Sequence, residues 1–335
     1  MPRSTSRSGW TTSTAEQLDR DEGGGGIHPA IAHALCAFPA VLARRAAGPI
    51  QLILGRRLAG EAPNAWRSSC LTGDGFPFEL AFCTGDDRLR FTIEPGYEDL
   101  DPHTRLDLAG ELIRTLGEEQ LPLEVLEDFR AIQAGAPLEY GAWIGCRVGS
   151  DRMGVKLYVE IPDGWTGTSL RHAAPVLPDR VVVPRMTAYT PSTGAFEVYF
   201  RVPSLEPRHL PAVLAPAGME VHAPWLVGLI EEAYGHVVRG RLPGPSVGVS
   251  YVAEPGRSRV TLHFYARALW GSDARIRRGW PRLATALGWD DQAYLQVTRP
   301  LAERESWRTF HGLVGISLDA PPRITVSIGV RPVMP

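Results

Sequence analysis

Apolar and polar side chains alternate along ten short segments of the chain, which is the pattern of strands that bury one face. The segments come in pairs, and each pair is joined by a short stretch containing Gly, Pro, Asp or Ser, which is typical of a β-hairpin. Because segments paired in this way run antiparallel, we predict an antiparallel sheet. The five predicted hairpins cover residues 77–95, 142–161, 181–202, 246–267 and 312–331.

Between the hairpins, the apolar period changes to that of amphipathic helices. A hairpin preceded by helical segments recurs along the chain, which indicates a repeat architecture. We predict an α+β fold of five ααββ repeats, in which ten strands close into an antiparallel β-barrel and the α-helices surround it. An opening pair of helices is predicted within residues 35–58, and the other predicted helical segments cover residues 102–116, 123–134, 205–214, 224–234, 272–287 and 294–310.

The polar faces of the strands decide what the barrel contains. In one segment the side chains on one face are apolar, and those on the other face are Arg259, Thr261, His263 and Tyr265. We expect the helices to cover the apolar faces, so that the polar faces line a lumen. An open sheet with solvent on its polar side would also show this alternation, but it explains the Tyr, His and small residues there less well.

The composition fits one globular domain and excludes several classes of protein. The chain has 335 residues and a net charge of -2, which gives no reason to expect nucleic acid or an anionic membrane as partner. No apolar run is long enough to span a membrane, and the four cysteines lack metal-ligand or C-x-x-C spacing. We predict a disordered tail over residues 1–26, a single domain over residues 27–335 and a cytoplasmic location.

Lys156 is the only lysine in the sequence, since the other strongly basic residues are all arginine. A GC-rich genome explains the missing lysines but not the one that remains. A compact, strongly hydrated ammonium group is not interchangeable with a guanidinium group. Lys156 is therefore a candidate functional residue, against the alternative that it is a chance surface lysine.

Short motifs in successive hairpins resemble those of the αββα-barrel prenyltransferases, which include indole, cyanobactin peptide, and phenol or naphthoquinone enzymes. P-F-E-L at residues 77–80, followed by L-R-F-T-I-E-P at residues 89–95, looks like the opening hairpin of the indole enzymes. K-L-Y at residues 156–158 is similar to their K-x-Y strand. A-F-E-V-Y at residues 195–199 keeps the Tyr of their R-x-K-x-Y strand without its two basic residues, and looks more like the peptide enzymes. The resemblance spans residues 70–331.

The resemblance implies a site for an isoprenoid diphosphate inside the barrel. Fixed cations and phenol hydrogen bonds would stabilise the negative charge that grows on the diphosphate as the allylic C–O bond breaks. Glu79 matches the acidic residue that contacts the acceptor, and we expect it to orient the acceptor and take a proton, with His263 as the alternative. The predicted diphosphate ligands are Arg90, Lys156, Tyr158, Tyr199, Arg201, Arg259 and Tyr265, with Arg185 and Arg267 as further candidates.

Other residues on the inferred lumen face are assigned to a pocket for the prenyl group and the acceptor. Small residues there would deepen the cavity. In the peptide enzymes that the chain resembles, a small residue near the first strand of the fourth hairpin goes with a longer prenyl donor, so the resemblance favours geranyl over dimethylallyl diphosphate. Strand curvature or close contact explains each glycine equally well. The pocket residues are Trp143, Thr261, Gly248, Gly315, Ser327 and Gly329.

Other kinds of site lack their motifs in the sequence. There is no D-D-x-x-D motif for a metal-bound diphosphate, no P-loop, no dinucleotide fingerprint, no G-x-S-x-G and no H-E-x-x-H. The resemblance implies a prenyltransferase, and without a metal-binding motif we expect it to require no cofactor, with Mg²⁺ possible but not implied by a motif. It would transfer a geranyl or dimethylallyl group to a nucleophilic side chain of a peptide or amino-acid-derived natural product. The alternatives are a phenol- or naphthoquinone-type prenyltransferase and a non-catalytic barrel that binds a small ligand.

Overall fold

Ten strands form a closed antiparallel barrel, in the order β1-β10-β9-β8-β7-β6-β5-β4-β3-β2 around its circumference. The computed structural model describes residues 26–55, 57, 66–97, 99–117, 120–165, 174–254, 257–319 and 323–334. The strands are β1 (Phe78–Cys83), β2 (Leu89–Ile93), β3 (Ala142–Val148), β4 (Met153–Glu160), β5 (Val183–Thr190), β6 (Ala195–Pro203), β7 (Ser246–Glu254), β8 (Arg257–Tyr265), β9 (His311–Asp319) and β10 (Arg323–Val330). The predicted barrel is confirmed, and the open sheet is excluded. The predicted tail lies outside the described residues except for Gly26.

Helices surround the barrel, as predicted. They are α1 (Pro29–Leu35), α2 (Ala40–Leu54), α3 (Pro102–Leu116), α4 (Leu123–Gln133), α5 (Leu210–Leu214), α6 (Ala223–Tyr234), α7 (Ala266–Trp270), α8 (Asp273–Ala286) and α9 (Gln292–Val297). Local chemistry sets the ends of α3: the side chain of Asp101 accepts a hydrogen bond from Thr104 N, and Gly117 adopts a left-handed φ of 74°. None of the described helices is long and apolar enough to cross a membrane.

Three predicted elements differ from the structure. The opening helical pair predicted over residues 35–58 lies further towards the N-terminus, because α1 already ends at Leu35 and only α2 falls within that range. The helix predicted over residues 294–310 is wrong beyond Val297, where a 3₁₀ turn contains Pro300, which has no amide hydrogen to continue a helix. Arg267, predicted on a strand, lies in α7, because β8 ends at Tyr265.

The hydrophobic core is a layer between the outer face of the barrel and the helices. Leu262 and Phe264 of β8 are at most 1% exposed, as their apolar alternation predicted. Phe82 of β1 contacts Tyr294 of α9 edge to face, with ring centroids 5.4 Å apart, and Tyr294 lies 6.0 Å from Trp280 of α8. Burial of each such side chain contributes about 1.5–3 kcal/mol, so this layer is what holds the helices against the barrel.

Buried carboxylates fix the segments that lead into the strands. Glu160, at the end of β4, accepts hydrogen bonds of 2.7–3.1 Å from three consecutive backbone amides, of residues 139–141. Asp273, at the start of α8, accepts from the amides of Phe310 and His311 and lies 2.6 Å from His311 Nδ1. Because these acids are occupied by the backbone, they anchor strands rather than face a ligand.

Candidate active site

Two cations from different strands face the lumen of the barrel. Lys156 of β4 is 8% exposed, and the Arg90 side chain of β2 is 20% exposed. β3 lies between these strands, with Arg147 opposite Arg90 and Gly145 opposite Lys156. Because directly paired residues point to the same face of a sheet, Arg90, Arg147 and Lys156 line one wall of the lumen.

Lys156 is held by a carboxylate and two phenols. Its Nζ donates hydrogen bonds to Glu197 Oε2 and, over 3.1 Å, to Tyr199 OH. The same nitrogen lies 5.0 Å from the ring centroid of Tyr158 and 5.6 Å from that of Tyr199, within the range of cation–π attraction. Lys156, Tyr158 and Tyr199, all predicted diphosphate ligands, therefore form one cluster, and Glu197 is a neighbour that sequence reasoning missed.

Glu197 keeps its negative charge although it is buried. Burial acts to raise its pKa, but the charge of Lys156 and hydrogen bonds from Lys156 and Ser250 outweigh burial and lower the pKa to about 2. Ser250 Oγ donates to Glu197 Oε1 over 2.5 Å and lies 3.0 Å from His263 Nε2. Burial lowers the pKa of His263 to about 4, so this imidazole is neutral at neutral pH.

Arg90 carries a hydrogen-bond donor that no described residue satisfies. Its guanidinium is ion-paired with Asp86 of the turn after β1, but its Nε is buried and has no acceptor within the described part of the chain. Burial and the nearby charge of Arg147 lower the pKa of Arg90 to about 10, which leaves it cationic at neutral pH. Sequence reasoning missed Arg147, although its alternation with Trp143 and Gly145 along β3 could have revealed it.

Glu79 is a carboxyl group on the lumen face with no cationic partner among the described residues. Burial raises its pKa to about 8. Gly312 and Gly329 make room for it, because a Cβ atom at either position would collide with its carboxyl group. Glu79 can therefore gain or lose a proton near neutral pH, which its predicted role in proton transfer requires.

The glycines that were predicted to deepen the pocket border other side chains. A Cβ atom at Gly315 would lie 2.7 Å from Ser327 Oγ, and one at Gly248 would lie 3.0 Å from His263 Cβ. Together with Gly329 beside Glu79, they allow neighbouring side chains to approach the barrel wall. They therefore give no support for a geranyl over a dimethylallyl donor.

Two further predicted pocket residues have partners within the barrel. Trp143 donates its indole hydrogen to the buried Glu94 over 3.2 Å. Thr261 Oγ1 lies 2.8 Å from Ser317 Oγ, which is directly opposite it on β9. These contacts orient both side chains, so they form a preorganised part of the lumen wall.

Arg259 and Tyr265 lie at opposite ends of β8 and cannot bind the same diphosphate. Six residues along an extended strand (265 minus 259) span about 20 Å. Arg259, near the hairpin turns, forms an ion pair with Asp319 through two nitrogen–oxygen contacts of 2.5 and 3.1 Å. Tyr265 is 40% exposed at the other end, where it borders a cleft of about 610 Å³ with Arg267 and Trp307.

Arg201, a predicted diphosphate ligand, and Arg185, a further candidate, differ in their surroundings. Arg185 lies at a bulge in β5, and its guanidinium is ion-paired with Asp163 and Glu139. Arg201 of β6 is exposed and lies opposite Gly248. Arg185 is therefore neutralised locally, whereas Arg201 can contact a ligand that extends to that end of the barrel.

Gly145 determines where the ring of Tyr158 lies. A Cβ atom at Gly145 would be 2.8 Å from Tyr158 Cε2, so Gly145→Ala must displace this ring from Lys156. We expect this variant to lose about 1–3 kcal/mol of unfolding free energy through overcrowding and to weaken binding of inorganic diphosphate several-fold. Thermal melts and calorimetric titration measure both effects. The matched control is Gly228→Ala in α6, which has nothing within 4 Å and is expected to retain diphosphate affinity.

Solved structures of similar architecture identify the fold. A 6-dimethylallyltryptophan synthase from Micromonospora olivasterospora superposes with a TM-score of 0.70 at 19% identity, over 91% of this chain and 97% of the other. A 5-dimethylallyltryptophan synthase from Streptomyces coelicolor superposes with a TM-score of 0.68 at 18% identity, over 95% and 96%. AnaPT from Neosartorya fischeri gives 0.69 at 12% identity, over 96% and 98%.

The superpositions cover nearly the whole length of both chains, so this protein has the αββα prenyltransferase-barrel fold. No protein-family model matches the sequence. No curated protein sequence matches it either. The predicted resemblance to this fold, made from short motifs in separate hairpins, is thus confirmed by three-dimensional structure at identities below 20%.

Proposed function

We propose that this protein is an aromatic prenyltransferase, which moves a dimethylallyl or geranyl group from its diphosphate to a nucleophilic side chain of a peptide or amino-acid-derived natural product. One observation supports this proposal above all: Arg90, Arg147 and Lys156 line one wall of the lumen. The same lumen contains Glu79, which has no cationic partner among the described residues. The Micromonospora and Streptomyces coelicolor enzymes of the same fold have structures with DMASPP and Trp, and prenyltransferase PriB has one with product diphosphate.

The cationic wall suits the departure of a diphosphate. As the allylic C–O bond breaks, its electron pair stays with the diphosphate oxygen, and negative charge grows there. Arg90, Arg147 and Lys156 would stabilise that charge most strongly in the transition state, which accelerates the step. Burial and the charge of Glu197 raise the pKa of Tyr199 well above its usual value, so its phenol remains protonated and can donate a hydrogen bond.

The second step, in which the acceptor attacks the allylic carbon, needs a nucleophile and a base. The rings of Tyr158 and Tyr199 lie 6.1 Å apart and can stabilise an allyl cation by their faces while excluding water. The acceptor forms a bond to the allylic carbon, and the proton it releases passes to the Glu79 carboxylate. A base with a pKa near neutrality is matched to that task.

A donor and acceptor panel tests the proposal. The protein is incubated with dimethylallyl or geranyl diphosphate and with L-tryptophan, Trp- and Tyr-containing peptides, or a dihydroxynaphthalene. We expect stoichiometric diphosphate and a product heavier by one prenyl group with an amino acid or peptide. A product with the naphthalene alone would instead establish the phenol-type activity. Absence of diphosphate release with every pair would leave a non-catalytic barrel and refute the proposal.

Metal dependence is a separate prediction. Among the described residues, no three His, Cys, Asp or Glu side chains are grouped as a metal site requires, and Arg90, Arg147 and Lys156 line one wall of the lumen. We expect prenyl transfer in excess EDTA to stay within about twofold of the rate with Mg²⁺, because protein cations supply the charge that a metal would supply. Loss of turnover in EDTA, restored by added Mg²⁺, would show that this expectation is wrong.

A further inference from the structure

The positive charge of Lys156 is already matched within the protein by Glu197. Lys156 Nζ donates to Glu197 Oε2 and to Tyr199 OH, and Ser250 donates to Glu197 Oε1. Both members of the ion pair are 8% exposed. A diphosphate that binds Lys156 therefore comes close to the buried Glu197 carboxylate, which is also negatively charged.

The hydrogen bonds define a proton route that ends at Glu197. A serine hydroxyl has one hydrogen, and Ser250 donates it to Glu197. The 3.0 Å contact between Ser250 Oγ and His263 Nε2 must then be a hydrogen bond donated by the imidazole. Nδ1 of a neutral His263 consequently carries a lone pair that can accept a proton. The chain His263–Ser250–Glu197 can thus deliver a proton to a carboxylate that has little contact with solvent.

A comparison of two carboxylates shows what Lys156 does for Glu197. Glu79 and Glu197 both face the lumen; Glu197 is buried and Glu79 is half-buried. Without a cation, burial raises the pKa of Glu79 to about 8; with Lys156 and Ser250, the pKa of Glu197 is about 2. A bound diphosphate draws Lys156 away from Glu197 and brings its own negative charge close to this carboxylate. Each of these changes raises the pKa of Glu197 and so favours its protonated form.

The other charged groups around Glu197 do not prevent this change. Tyr199 from β6 and His263 from β8 are neutral at neutral pH, as described above. Arg147 from β3 is a further cation whose charge a diphosphate would share, and Arg259 from β8 is already ion-paired with Asp319. Lys156 is the only one of these cations that contacts Glu197 directly within the described part of the chain.

We propose that Glu197 is a proton acceptor switched by the donor: binding of a diphosphate group transfers the charge of Lys156 from Glu197 to the ligand, and Glu197 takes up one proton. One proton from solvent binds His263 Nδ1, the Nε2 proton moves to Ser250, and the Ser250 proton moves to Glu197 Oε1. His263 and Ser250 end with unchanged proton counts. The inference rests on the proposed function, and it implies that diphosphate affinity rises as pH falls.

Calorimetric titration of inorganic diphosphate into the protein tests this proposal. Titrations at pH 7 in buffers of different ionisation enthalpy give the number of protons taken up. Diphosphate can itself bind or release protons when it enters the site. The quantity to compare is therefore the number of protons taken up by wild type minus the number taken up by Glu197→Gln. We expect wild type to take up roughly one proton more, and Glu197→Gln to bind diphosphate up to about tenfold more tightly because Lys156 is no longer shared. The control Gly228→Ala in α6, which lies outside the lumen and the proton route, should match wild type.

Equal proton uptake by wild type and Glu197→Gln would overturn the inference while leaving the proposed function intact. No diphosphate binding by the wild type would instead count against the proposed function itself. Infrared difference spectra of the wild type make the test independent of variant folding. Addition of diphosphate should produce the C=O stretch of a protonated carboxylic acid, and a spectrum without that band would also overturn the inference.

Discussion

Replacement of Lys156 by methionine is expected to slow diphosphate release from a prenyl donor by about 100-fold or more. Methionine keeps much of the side-chain volume but removes the one ammonium group that faces the developing negative charge. Loss of a single preorganised donor of this kind typically costs on the order of 10²–10³ in rate. Arg90→Met should show a comparable loss. Single-turnover release of diphosphate measures the effect on the bond-breaking step.

Loss of Lys156 also leaves Glu197 without its cation, which must be separated from the catalytic effect. Breaking a buried ion pair from one side costs up to about 3–5 kcal/mol, and protonation of Glu197 reduces that cost. The double variant Lys156→Met/Glu197→Gln removes both charges, so we expect its unfolding free energy to return close to that of wild type. Its diphosphate release should stay as slow as in the single variant. A double variant with wild-type turnover would remove Lys156 from the mechanism.

Replacement of Glu79 by glutamine is expected to reduce prenyl transfer to the acceptor by about 100-fold, with little change in donor hydrolysis. The amide keeps the shape of the side chain but cannot accept the proton, and general bases typically contribute 10²–10⁴. Because the carboxylate is the active form and burial raises the pKa of Glu79 to about 8, wild-type transfer should fall as pH decreases below about 8. The variant should lack that decline. Product formation and diphosphate release, measured together across pH, separate the two steps.

Protein stability provides an independent measure of the same group. Burial raises the pKa of Glu79 in the folded protein to about 8, well above the ordinary value for a glutamate, so the native state binds its proton more tightly than the unfolded state does. Glu79 therefore lowers stability progressively as pH rises from about 4.5 to about 8. Glu79→Gln should melt a few degrees above wild type at pH 8.5 and close to it at pH 4. If wild type and Glu79→Gln melt at the same temperature at pH 8.5 and also at pH 4, burial does not raise the pKa of Glu79.

Strand alternation predicted the residues of the lumen wall because a strand has a fixed two-residue period. That period placed Thr261 and His263 on one face of their strand, whereas Glu79 and Arg90 were assigned from the family resemblance; the structure has Glu79, Arg90 and Lys156 facing the lumen. The same rule should have included Arg147, which was overlooked because no family motif covers it. Periodicity also could not show how far along the barrel axis each residue lies, so Tyr265 was grouped with Arg259, which is about 20 Å away along β8.

The charge balance of the site was beyond sequence reasoning. Glu197 was read as a departure from a basic motif, but its contact with Lys156 depends on pairings across β4, β5 and β6. Likewise, a glycine on a lumen-facing position can indicate open space or close approach, and only the neighbours decide. At Gly329 the neighbour is Glu79, which comes 250 residues earlier in the chain (329 minus 79).

The barrel closes through the pairing of β1 with β10, which are the first and the last strands along the chain. Leu80 lies opposite Val330, and Val326 N donates to Thr84 Oγ1 over 2.9 Å. During synthesis on the ribosome, β1 emerges long before its partner, so its free edge must be protected until nearly all of the chain has been made. Such distant contacts slow folding, and the exposed edge is where intermolecular aggregation would begin. Production of this protein should therefore benefit from slow translation and chaperones more than a helical protein of equal length would.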